Sequence, residues 1–145
     1  MNYFFSHLAL VLMLFNLSNV EAQVIKDSWV PVTFEQKLIY IDLSEIKSFK
    51  GDDIYVWAIE FHNPPIEIEA IDKDIYQTRT YYLINKKLLK YSIRDIIYYD
   101  KKINVLKNYS YEYFSDDADY KFSSPIFKGS LVELILNRCL MEIEG

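Results

Sequence analysis

Few residues in this chain are able to do covalent or acid–base chemistry. It carries two histidines and one cysteine among 145 residues. His7 falls in an N-terminal stretch that reads as a leader, so any Ser-His-Asp or Cys-His arrangement would have to use His62. His62 ends a predicted strand beside Asn63, Pro64 and Pro65, where a plain strand-end role is the simpler reading. One His and one Cys do not approach the three or four ligands of a zinc site. Glycine stands only at positions 51, 129 and 145, which excludes a glycine-rich phosphate loop. Asp116, Asp117 and Asp119 lack the spacing and the following bidentate Glu of a calcium loop. Glu67, Glu69, Asp72 and Asp74 carry no mark of the burial that paired glycosidase acids need. Both clusters read as solvated loops. The prediction is a non-enzymatic protein with no metal and no cofactor.

Binding chemistry is better represented. Tyr109, Tyr111 and Tyr113 fall in phase on one predicted strand and offer a sticky surface or a covered face, two readings of equal standing. Lys86, Lys87 and Lys90, with Lys101 and Lys102, form the basic clusters that would meet acidic or sulfated partners. A net charge of −5 gives no general attraction to nucleic acid or anionic membrane. Asn108-Tyr109-Ser110 is a glycosylation sequon, relevant only in a eukaryotic secretory pathway.

Strands must position these residues. SWVPVT (Ser28–Thr33) alternates, and Pro31 marks it as an edge or a bulge. Leu38–Asp42 is a second strand, and Leu43–Phe49 a short helical turn or irregular link. Ile54–His62 alternates with apolar residues on both faces, which predicts a central strand with a helix on one side, ended by Pro64-Pro65. Glu67–Asp74 reads as an acidic loop. Ile75–Leu83, Leu88–Tyr99 and Val105–Phe114 read as further strands. Ser130-x-x-Glu133 is a capping-box pattern, and Val132, Ile135, Leu136 and Cys139 share one face of the helix behind it. The sum is an α+β domain: an antiparallel meander of five to six strands with one C-terminal helix packed on it. Trp29, Tyr40, Asp42, Trp57, Ser130, Glu133 and Cys139 are its structural residues.

The N-terminus predicts export. An apolar run from Leu8 to Phe15 precedes Asn16–Asn19 and Val20-Glu21-Ala22, an h-region and an A-x-A-like cleavage signal. The expected division is a signal peptide over 1–22 and a single domain over 23–145, with no transmembrane helix after cleavage. No cysteine lies near the cleavage site, so the product is expected to be periplasmic, secreted or at the cell surface without a lipid anchor.

The order of these features resembles the surface-adhesin protein E family of Gram-negative bacteria. The features are Ser28-Trp29-Val30, then Tyr40-Ile41-Asp42 with Ser44-Glu45-Ile46, a Gly-containing turn, and Val56-Trp57. Tyrosine-rich strands follow, then Gly129-Ser130-x-x-Glu133 and a cysteine near the end. The resemblance spans the whole predicted domain. It implies an antiparallel sheet with a C-terminal helix, dimer formation, and binding of host proteins such as vitronectin, laminin and plasminogen. The founding adhesin is a lipoprotein, and this chain lacks the lipid-bearing cysteine. Members often carry a second cysteine near the end of the strand that here reads Tyr81-Tyr82-Leu83-Ile84-Asn85, bridged to the helix. No cysteine stands there. Cys139 then reads as the surviving half of that pair and as a buried small hydrophobe; its rival role is an intermolecular bridge in a homodimer. The functional alternative to an adhesin is a periplasmic accessory domain that binds another envelope protein or a small apolar ligand.

Overall fold

Alternation of apolar and polar residues builds the sheet. The computed structural model describes residues 28–44, 46, 51–111 and 121–145. The predicted signal peptide, Tyr113 and the acidic run 116–119 lie outside the described residues, as does most of the link 43–49. Six strands follow one another in meander order: β1 (Trp29–Phe34), β2 (Lys37–Asp42), β3 (Asp53–Ile68), β4 (Ile71–Asn85), β5 (Lys90–Tyr99) and β6 (Val105–Ser110). Each pairs antiparallel with its neighbour in sequence. A two-residue strand, β7 (Ser124–Pro125), joins the start of β5. The helix Leu131–Glu144 closes the chain. Among the described residues no helix is long and apolar enough to cross a membrane.

The helix lies on one face of the sheet. Val132, Ile135, Leu136 and Cys139 pack with Ile39 and Ile41 of β2, Ile54, Val56 and Ala58 of β3, and Tyr82 and Ile84 of β4. Val30, Val32 and Phe34 of β1 border the same cluster. Each such side chain taken from water contributes about 1.5–3 kcal/mol. The helix start departs from the expected reciprocal box. Ser130 Oγ accepts from the Glu133 N–H at 3.2 Å, but the Glu133 carboxylate takes the Gly129 N–H at 2.6 Å. The Ser130 N–H is already donated to the Phe127 carbonyl. Gly129 holds φ +78°, which bends the chain into the helix.

Two readings are corrected. Pro64 and Pro65 do not end the strand: β3 runs on to Ile68, with its register shifted between Phe61 and Ile66. A proline removes a donor from only one side of a ladder, and a register shift absorbs that loss. The stretch Glu67–Asp74 is not a loop but a hairpin tip, turning at Glu69 and Ala70 between β3 and β4.

The other face of the sheet is curled. The guanidinium carbon of Arg79, in β4, lies 5.8 Å from the ring centroid of Trp29 in β1 and 5.4 Å from that of Tyr99 in β5. Four strand spacings separate β1 from β5, which is about 19 Å in a flat sheet. One guanidinium reaches both rings only where the sheet bends around it. Ile59, Ile75 and Leu83 are buried on this second face.

Candidate functional site

The predicted surface residues divide into two places. β5 is ten residues long, so the turns at its two ends stand roughly 30 Å apart. Lys86 and Lys87 occupy the β4–β5 turn, where Asn85 Oδ1 accepts from the Lys87 and Leu88 N–H groups. Lys101 and Lys102 occupy the β5–β6 turn. There Asp100 accepts from the backbone of Lys102 and Asn104 and from the Asn104 amide. Those bonds, the Asn104 side chain foremost, hold the Asp100 carboxyl below its usual pKa. Lys101 Nζ sits 5.8 Å from the Tyr76 ring. The four lysines therefore do not form one basic patch.

Of the predicted tyrosines, Tyr109 and Tyr111 both lie near Tyr98. β6 is the last strand of the meander, and Tyr109 pairs with Ile96 of β5. Tyr109 meets Tyr98 edge-on at 6.1 Å, and Lys107 Nζ lies 5.6 Å from the Tyr109 ring. Burial, then the nearby Tyr111 and Tyr109 hydroxyls, push the Tyr98 pKa up. Tyr111 donates its N–H to the Arg94 carbonyl just past the end of β6. β6 covers β5 from Asp95 onward and β7 covers Lys90 and Tyr91. Ser92, Ile93 and Arg94 lie between these two pairings. A groove of about 220 Å³ opens there, lined by Tyr91, Ile93, Ile96, Tyr111, Ser123 and Ser124. Val105 (59% exposed) and Tyr111 (46%) leave this edge apolar and open to solvent.

His62 heads a row that bears comparison with a hydrolytic triad. Its Nε2 lies 2.8 Å from Thr78 Oγ1, and its Nδ1 lies 3.8 Å from Glu60 Oε1. The second distance exceeds a hydrogen bond. Glu60 is instead paired with Lys37 at 2.8 Å. The imidazole is buried, and burial lowers its pKa below 6.5 against the opposing pull of Glu60. Thr78 is a mid-strand residue paired with Glu60 across β3 and β4. The row ties two strands together.

The structural residues lie as follows. Trp57 stacks on Tyr81 at 4.6 Å, and Tyr40 meets Phe61 edge-on at 6.0 Å. Asp42 Oδ1 accepts the Ser44 N–H and closes β2. Cys139 is fully buried, and burial raises its thiol pKa to about 12. It belongs to the same buried cluster as Tyr82 and Ile84 of β4. Among the described residues no group of three or more His, Cys, Asp or Glu is placed to hold a metal ion.

Sequence reasoning passed over Gln77 and Arg79. They occupy the same phase of β4 as the buried Ile75 and Leu83. Two polar residues in the inward phase of an alternating strand, Gln77 buried and Arg79 half-buried, were the available signal.

No protein-family model, curated protein or solved structure matches this chain.

Proposed function

We propose that this chain is an exported, non-enzymatic binding domain of the surface-adhesin protein E type, which meets protein partners through the β6 edge. The observation that carries the reading is that edge itself. It combines the outer flank of β6, which pairs with no other strand among the described residues, exposed Val105 and Tyr111, and the Tyr98–Tyr109 pair beside Lys107. Unpaired strand edges accept an extended segment of a partner by backbone hydrogen bonds, and neighbouring aromatic rings supply contact area. The groove between β6 and β7 gives such a segment a place for a side chain. The motif order described above, together with a meander sheet and a C-terminal helix, supports the adhesin type.

The test is binding of the purified chain to immobilised vitronectin, laminin and plasminogen, at low and at physiological salt. Saturable binding that survives physiological salt is expected. Val105→Lys and Tyr111→Ala should weaken it, while replacing Lys86 and Lys87 with Ala should leave it unchanged. No binding, or binding abolished by modest salt, overturns the adhesin function. A partner within the periplasm is the second reading, favoured by the absence of a lipid-bearing cysteine at the predicted cleavage site. Release of the protein by osmotic shock alone selects it.

A further inference from the structure

The curled face of the sheet, opposite the helix, holds two buried donors that have no acceptor among the described residues. Gln77 is 3% exposed and its Nε2 has no hydrogen-bond partner. Arg79 Nε is buried and equally unpaired. The two residues are i and i+2 on β4, so they share a face. Cross-strand pairing sets Gln77 between Phe61 and Tyr99, and Arg79 between Ile59 and Ile97. Among the described residues no carboxylate pairs with Arg79; its neighbours are the rings of Trp29 and Tyr99. Those rings stabilise the cation without accepting a conventional hydrogen bond from its N–H groups.

A buried donor left unpaired is destabilising, and more so when it is charged. Two of them side by side on one face amount to a standing demand for an acceptor. The acceptor that fits has two oxygens in one plane, because the guanidinium presents its donors as a planar fork. It is anionic, since the cation has no counter-charge. It carries an apolar body, since the surrounding cross-strand residues are Phe61, Tyr99, Ile59 and Ile97. We propose that Arg79 and Gln77 form the recognition centre of a small-molecule site on the curled face, taking a carboxylate borne on an apolar or aromatic body. Arg79 takes the charge and Gln77 donates to the same carboxylate group. Trp29 and Tyr99 hold the guanidinium in place. The site is independent of the β6 edge and requires no protein partner.

The test titrates 4-phenylbutyrate into the purified protein, with the neutral 4-phenylbutyramide as its control. Binding is followed by calorimetry and by the NMR resonance of the Arg79 Nε–H. The acid should bind saturably and at least about tenfold more tightly than the amide, because only the acid offers two charge-assisted acceptors. It should also move the Nε–H resonance. Arg79→Lys keeps the charge but loses the fork, and should weaken binding by about tenfold or more. Gln77→Leu removes an unpaired amide from a buried position. It should raise the melting temperature while weakening the acid, an opposite pair of effects that a purely structural glutamine would not give. Equal affinity for acid and amide, no binding at millimolar concentrations, or a Gln77→Leu protein that melts earlier would overturn the proposal.

Discussion

Cys139 offers a direct measure of how firmly the helix is seated. The thiol is fully buried in the cluster that joins the helix to β2, β3 and β4, and burial raises its pKa from 9.0 to about 12. Only the thiolate attacks a disulfide reagent. At about pH 8 that shift alone lowers the thiolate fraction roughly a thousandfold, before any steric protection is counted. Reaction with 5,5′-dithiobis(2-nitrobenzoate) in native buffer should therefore proceed only through opening of the helix–sheet contact. The stoichiometry should be near zero on the timescale in which the unfolded chain reacts fully. Ile135→Ala empties a fully buried position on the same helical face. It should lower stability by about 2–5 kcal/mol. Where opening and reclosing are fast relative to the thiol reaction, it should speed labelling by a corresponding factor. Native protein that labels as fast as the unfolded chain would refute the buried position of the thiol. An Ile135→Ala protein that melts earlier yet labels no faster would show that the thiol is reached without releasing the helix.

Other perturbations test other contacts. His62 has a folded pKa below 6.5, so below that pH the unfolded chain takes up a proton that the folded chain refuses. Stability present at neutral pH should fall on acidification through this range, and His62→Gln should flatten the slope in urea titrations at a series of pH values. Ser130→Ala removes the acceptor for the Glu133 N–H and should destabilise by about 0.5–2 kcal/mol, read from the denaturation midpoint. Glu133→Gln should reduce stability through the Gly129 contact, and by less at high salt if charge carries that bond.

Much of the fold was legible because two periodicities dominate the chain. The period-two pattern of IYVWAIEFH places Ile54, Val56 and Ala58 against the helix, and the helical spacing of Val132, Ile135, Leu136 and Cys139 supplies the matching stripe. The hairpin tip beyond Phe61 was hidden because Pro64-Pro65 and the acids after them are punctuation in most strands. Here a register shift lets the pairing resume at Ile66 and Ile75. β7 is two residues long and too short to leave a pattern. The separation of Lys86 and Lys87 from Lys101 and Lys102 is a property of hairpin topology, which spacing along the chain does not display. Gln77 and Arg79 were visible as residues but not as a pair facing inward, because strand pairing sets Tyr99 beside them and the curl of the sheet brings Trp29 to Arg79.

The meander also sets an order of assembly. Every long strand pairs with the one before it, so the sheet grows by closing short hairpins, each a local event with little loop entropy to overcome. The helix is different. It follows all the strands in sequence, and it must travel back over the sheet to reach β1. Until it arrives, Ile39, Ile41, Ile54 and Val56 face water together. A chain stopped short of Ser130 would keep its hairpins and lose its cover, and its aggregation would start from that face.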